Sequence, residues 1–268
     1  MRLLRRILIS VVLLLVVSAV LLVVIVWAEA SFGQSAKDLS NTSFPGPDGT
    51  RLVGYLQTPP GPGPFPTVIM IHEWWGLTNP LIEKANQMAA QGYVVFVPDT
   101  YRGQATRLIP RALWLRLNTP EDRVMRDLQA AYDFLLTQPA VDRRRVAVLG
   151  FCYGGEMALR YGTRNPNLAA TVVFYGSPIT DASQFGALAQ TRGPVLGIFG
   201  AQDGQIPVAE VEQFKEALAQ AGIRHQVTIY PGVGHAFVEP KAMAEPGAAQ
   251  DAWRETLAFL DANVKQRP

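Results

Sequence analysis

The 268-residue chain contains a single cysteine, Cys152, and three histidines, His72, His225 and His235. One thiol cannot close an internal disulfide. In an oxidising compartment it has no partner within the chain and stays a thiol unless it is oxidised to a sulfenic acid. These four dispersed side chains lack zinc-ligand spacing, so no metal site is expected. There is no Gly-x-Gly-x-x-Gly and no Walker sequence, so no nucleotide or other cofactor is expected. Charge of one sign is not in excess either: beyond residue 30, basic and acidic side chains are equal in number. No basic face for nucleic acid is indicated. There is no internal repeat.

Charge is wholly missing from one stretch. Ile7 to Trp27 is apolar apart from Ser10 and Ser18. As a helix it would span roughly 30 Å, the thickness of a bilayer core. Arg2, Arg5 and Arg6 precede it and place that end in the cytoplasm by the positive-inside rule, with the remainder outside. Residues 1–30 therefore read as a membrane anchor. A cleaved signal sequence is the alternative, because Ala28-Glu29-Ala30 matches a small-x-small cleavage site, although the apolar run is longer than a usual signal core. Residues 31–50, polar with Pro and Gly, read as a tether. Residues 51–268 are long enough for one α/β domain with a large core.

In that domain, short apolar stretches alternate with helical patterns. Thr67 to Met70, Tyr93 to Val97, Val146 to Gly150, Pro194 to Phe199 and Gln226 to Tyr230 read as strands. Leu81 to Gln91, Pro120 to Thr137, Val208 to Ala221 and Gly247 to Val264 read as helices. Such alternation implies a mostly parallel sheet with helices on both faces. Tyr101 to Asn118 is the least regular part. It mixes Leu113, Trp114 and Leu117 with Arg107, Arg111 and Arg116, and would form an ordinary surface helix, a substrate wall or an amphipathic patch near the membrane.

Cys152 lies in Gly150-Phe151-Cys152-Tyr153-Gly154-Gly155, with a strand pattern before it and a helix pattern after. Gly-x-nucleophile-x-Gly at such a junction is the nucleophile elbow of an α/β-hydrolase, here with cysteine in place of serine. A sharp turn presses the residues two places either side against backbone, which glycine alone allows. The helix N-terminus that follows favours a thiolate and a developing oxyanion. The plainer reading of a lone cysteine is a small buried apolar residue.

A thiol nucleophile needs a base and a group that orients the base. His235 lies in a glycine-rich loop beyond the strand pattern ending at Tyr230. Asp203 lies just beyond the one ending at Phe199. An Asx turn or helix cap would also account for Asp203. The chain order Cys152, Asp203, His235 is the order of nucleophile, acid and histidine in α/β-hydrolases, and each follows a strand.

The elbow, the Asp203 loop with its Ile-Pro, the Gly-His-Ala-Phe loop and the segment Ile71-His72-Glu73-Trp74-Trp75-Gly76 together resemble the dienelactone hydrolase (carboxymethylenebutenolidase) family from about Gly54 to Leu260. The resemblance implies an α/β-hydrolase fold and a cysteine hydrolase acting on a small ester or lactone. It implies that Glu73 contacts the thiol and helps activate it, and that the backbone N–H groups of Tyr153 and Trp74 form the oxyanion hole. Pocket candidates are Trp75, Tyr101, Arg102, Phe237 and Glu239, with a surface salt bridge as the other reading of Arg102 and of Arg107. Family members that act on dienelactone hold its carboxylate with two arginines. Here Gly103 stands at the place of one, with Arg102 a residue early, and Glu239 stands at the place of the other. An uncharged or differently charged ester or lactone is the expected substrate. Two other classes of function stay open: a catalytically silent binding protein on a hydrolase fold, and a thiol redox sensor.

Overall fold

The computed structural model describes residues 2–32, 35–191 and 193–266. Gly33 and Gln34, within the expected tether, and the terminal Arg267 and Pro268 lie outside the described residues.

Among the described residues eight strands form one sheet: β1 (Thr42–Pro45), β2 (Arg51–Gln57), β3 (Phe65–Ile71), β4 (Val94–Pro98), β5 (Val141–Phe151), β6 (Thr171–Phe174), β7 (Val195–Gly200) and β8 (His225–Tyr230). Their order is β1-β2-β4-β3-β5-β6-β7-β8. The β1–β2 and β2–β4 pairs are antiparallel, and all others are parallel. The helices are α1 (Arg2–Phe32), α2 (Ala36–Leu39), α3 (Asn79–Ala89), α4 (Ile109–Asn118), α5 (Glu121–Leu136), α6 (Tyr153–Gly162), α7 (Gly186–Thr191), α8 (Val208–Gln220), α9 (Pro240–Met243) and α10 (Ala248–Leu260). This is the α/β-hydrolase fold, with a mostly parallel sheet covered by helices on both faces.

The central strands are near-continuous apolar runs because both faces are covered. In β3, Val68, Met70 and Tyr93 just before β4 pack in one cluster with α3 and α10, while Ile69, Ile71 and Phe96 pack in another with α5 and α6. A third cluster joins β7 to α8 through Phe199, Val211 and Phe214. Parallel register aligns the carboxyl ends of the strands, with Ile71 opposite Gly150 and Phe151 opposite Phe174. The residues just past β3, β4, β5, β6, β7 and β8 thus meet along one edge, where open α/β sheets place their chemistry.

The expected tether is corrected in part. Its composition is polar, but Thr42–Pro45 pairs with β2 as the edge strand. Phe44 is buried against Phe96 and Phe134, and Ala36 is buried in the core. The α2 turn is fixed by a capping box between Ser35 and Asp38. The ladder satisfies backbone groups that a tether would leave to water.

Among the described residues one helix, spanning Leu4–Glu29, is long and apolar enough to cross a membrane, with mean hydropathy 3.4 and its most apolar stretch unburied.

Candidate active site

The site is built on backbone strain at Cys152. It occupies φ 54°, ψ −120° between the end of β5 and the start of α6. That conformation is costly for a residue with a side chain and is over-determined here by its neighbours. The N–H of Cys152 donates to Phe174 O at 2.9 Å. A Cβ on Gly150 would lie 1.9 Å from Gly154 O, and one on Gly154 would lie 2.3 Å from Ile71 O. The glycines of the elbow are therefore steric necessities. Replacing Gly154 by alanine is expected to destabilise the fold by about 3 kcal/mol or more, read as a fall in melting temperature. An unchanged melting curve would mean that the elbow relaxes freely.

Burial pushes the Cys152 thiol up to about 11, opposed by the Tyr153 N–H, reinforced by the charge of Glu73 and opposed by Arg116 and the Trp74 N–H. Two results follow. The resting sulfur is a thiol at neutral pH. The backbone N–H groups of Tyr153 and Trp74, named from the resemblance, both oppose that rise, so both reach the sulfur.

His235 follows β8 on a loop held against the end of β7. Gln202 N donates to Val233 O at 2.9 Å, and Gly200 is packed so closely that a Cβ would lie 2.5 Å from Val233 O. His235 Nδ1 and Asp203 Oδ2 are 2.7 Å apart, with the Asp203 side chain fully buried. Asp203 Oδ1 meanwhile accepts from the N–H groups of Gln205 and Ile206, at 2.7 and 3.1 Å. Asp203 thus closes its turn with one oxygen and pairs with His235 through the other. His235 Nε2 is buried without a hydrogen-bond partner. His225, in contrast, lies at the opposite end of β8, with Nδ1 on Ile223 O.

Glu73 is the third element. Burial raises its pKa, Lys84 lowers it, Glu239 raises it and His235 lowers it. Its Oε1 is buried with no hydrogen-bond partner. His72 anchors this segment. Its Nδ1 lies 2.6 Å from Glu73 O, and its Nε2 accepts from Thr100 N at 3.2 Å. Burial holds His72 down to about 4, so it is neutral and suited to that accepting role.

Two residues escaped the sequence reading. Lys84 of α3 is buried. Its Nζ lies 3.4 Å from Glu239 Oε1, 3.9 Å from Glu73 Oε1 and 4.3 Å over the Phe151 ring. Tyr175, just past β6 at φ 37°, is fully buried with its ring 5.1 Å from that of His235. Neither belongs to a motif. Lys84 does share the helical spacing of Leu81, Ala85 and Met88, the buried face of α3.

The pocket candidates separate. Trp75, Glu73 and Glu239 line a cavity of about 690 Å³, together with Leu77, Thr106 and Arg107. Cys152 and His235 are not among its lining residues; Glu73, whose charge acts on Cys152, is the lining residue that connects the two. Phe237 packs on Tyr175 and Tyr230, and Tyr101 is buried against His72 and Tyr153. Arg102 takes the ion-pair role and not the pocket role. Its Nε and Nη2 donate to Asp127 and its Nη1 to Asp48, so the whole guanidinium is engaged away from the cavity. A bidentate pair with a buried carboxylate is among the stronger ion pairs. Among the described residues no cluster of side chains could hold a metal ion.

The profile described as the dienelactone hydrolase family matches residues 52–264. A "Putative carboxymethylenebutenolidase" of Methylorubrum extorquens is 31% identical over 245 residues, covering 85% of this chain and 83% of that protein. Protein usf of Aquifex pyrophilus is 34% identical over 229 residues, covering 80% and 94%. Among solved structures, a dienelactone hydrolase-like promiscuous phosphotriesterase from metagenomic libraries superposes with a TM-score of 0.69 at 25% identity, covering 83% and 97%.

Proposed function

The chain belongs to the dienelactone hydrolase family, and from that premise we propose that it is a membrane-anchored hydrolase that cleaves a neutral ester or lactone with Cys152 as nucleophile. The observation that carries the reading is the convergence on one sulfur. Cys152 stands out of a strained turn, and two backbone N–H groups act on it. Glu73 lies in its field, and a histidine already paired to a buried aspartate sits on the same sheet edge.

The steps follow from the resting protonation. The thiol must lose its proton before attack, and Glu73, with a buried oxygen that no hydrogen bond engages, takes it as substrate enters. The thiolate adds to the carbonyl carbon, and the oxyanion forms against the N–H groups of Tyr153 and Trp74. Glu73 returns that proton to the departing alkoxide; neutral His235, held in orientation by Asp203, then takes a proton from the water that cleaves the thioester and passes it to the departing sulfur, which restores the thiol. Trp75 and Glu239 border the substrate. Three carboxylates, Glu29, Glu73 and Glu239, line the cavity against one guanidinium, Arg107, while Lys84 stands between two of those carboxylates and Arg102 is committed elsewhere, so the site offers little to an anionic substrate.

In this reading residues 1–30 anchor the chain in the membrane and residues 51–268 carry out catalysis outside the cytoplasm. Substitution of His235 by alanine in the full-length protein is expected to lower kcat/KM for a neutral aryl acetate by about 10³-fold. An anionic lactone is expected to be the poorer substrate for the wild type. Equal turnover by the His235→Ala variant and the wild type would refute the hydrolytic role.

Lys84 gives a pH test. It lowers the pKa of Glu73, and Glu73 must be deprotonated to accept the thiol proton. Lys84→Met therefore raises the Glu73 pKa and moves the acid limb of the kcat/KM profile to higher pH. A limb that stays in place, or moves to lower pH, would exclude Glu73 as the group titrating there.

A further inference from the structure

The apolar surface of the catalytic domain is concentrated on one helix. Among the described residues outside α1, the exposed large apolar side chains are Val208 and four on α4: Ile109 (62% exposed), Leu113 (47%), Trp114 (55%) and Leu117 (73%). Spacings of four, five and eight residues put these four on one side of the helix, while Ala112 and Leu115 face the core. An isolated domain in water gains nothing from such an arrangement, and a contiguous patch of this kind marks a surface that something covers.

The place of α4 says what covers it. The membrane-length segment ends at Glu29. Glu29 is bonded to the residues that lead into α4: Thr106 Oγ1 donates to Oε2 at 2.6 Å and Arg107 N donates to Oε1 at 2.7 Å. Arg111 Nη1 lies 4.0 Å from the same carboxylate. The end of the apolar span and the start of α4 are thus one joined unit. Glu29, Thr106 and Arg107 also line the 690 Å³ cavity whose other wall is Trp75, Glu73 and Glu239. The cavity therefore borders the point where the chain leaves the membrane.

We propose that the outer face of α4 lies in the lipid interface and that the cavity beside it takes amphiphilic esters from the bilayer. An interfacial helix buries its apolar face at the boundary of headgroups and acyl chains, and Ile109, Leu113, Trp114 and Leu117 form such a face. The acyl chain of a membrane-dissolved ester would reach Glu73 past Trp75 and Leu77 without crossing bulk water. The inference rests on α1 spanning the membrane, and the test separates the two claims.

Full-length protein carrying Cys152→Ser is reconstituted in phosphatidylcholine vesicles with one added cysteine, bearing a nitroxide, at Leu117, at Val16 within α1 or at Glu216 on α8. Collision with oxygen reports lipid, and collision with a water-soluble nickel chelate reports water. Leu117 is expected to favour oxygen over chelate about fivefold or more relative to Glu216, as an interfacial depth requires. A lipid-embedded Val16 with Leu117 equal to Glu216 would overturn the docking and leave the anchor standing. A water-exposed Val16 would overturn both. A Leu117 label shielded from both reagents would mean that protein, such as a second copy, covers α4, and would also overturn the docking. In an enzyme with intact Cys152, Leu113→Gln with Leu117→Gln is expected to lower kcat/KM for a vesicle-dissolved decanoyl ester about tenfold, with less change for a water-soluble acetyl ester. Equal effects on the two esters would overturn the route from the bilayer.

Discussion

Replacing Cys152 by alanine is expected to lower kcat/KM for a neutral aryl ester by about 10⁴-fold or more, because removal of a nucleophile leaves only the binding groups and the oxyanion site to assist attack by water. The magnitude distinguishes catalysis from the alternatives. A binding protein on this fold would show the same negligible turnover before and after the substitution. A redox sensor would lose oxidant reactivity but never have possessed an esterase rate sensitive to His235. The fold should be retained, because the strained φ of 54° does not depend on the sulfur and alanine adds no volume. Near-wild-type turnover by the alanine variant would place the nucleophile elsewhere.

Glu73→Gln is expected to move two rates in opposite directions. The negative charge of Glu73 is one of the causes that hold the Cys152 thiol up at about 11, after burial. Its removal lowers the thiol pKa, so the thiolate fraction at neutral pH rises and alkylation by iodoacetamide accelerates. Ester hydrolysis falls, by about 10²-fold to 10⁴-fold, because the proton acceptor is gone. A merely structural Glu73 would move both rates down together through loss of the site. A bystander would move neither. Paired measurement of alkylation and kcat/KM across pH 6 to 9, about the range where a free thiol begins to ionise, separates the three cases.

The parts of this site that could be read in the sequence are those where stereochemistry admits few residues. Gly150 and Gly154 mark the elbow because a Cβ at either would strike backbone at 1.9 or 2.3 Å. Asp203 and His235 could be located because each follows an apolar strand, and parallel strands deliver such residues to one edge. What escaped depends on contacts between distant segments. Lys84 is 155 residues from its partner Glu239. Its place on the buried face of α3 was visible in the helical spacing, but no spacing reveals what it faces. Tyr175 follows a strand of only four residues, Thr171–Phe174, whose all-apolar pattern carries no periodicity. The β1 strand was hidden by polar composition, since its stability comes from pairing with β2 and from Phe44. A salt bridge is a readable role for Arg102, but its partners Asp127 and Asp48, at 2.7 to 2.8 Å, come from distant segments that no motif marks.

The covalent intermediate offers the most direct measurement. Full-length protein is mixed with an aryl acetate, quenched in acid within the turnover time and digested, and peptide masses are read for the wild type and for His235→Ala, in which deacylation is slowed. An acetyl group on the Cys152 peptide, present transiently in the wild type and accumulating in the variant, is the expected result. Turnover without any acyl adduct on Cys152, or with the adduct on a different residue, would contradict nucleophilic catalysis by this thiol.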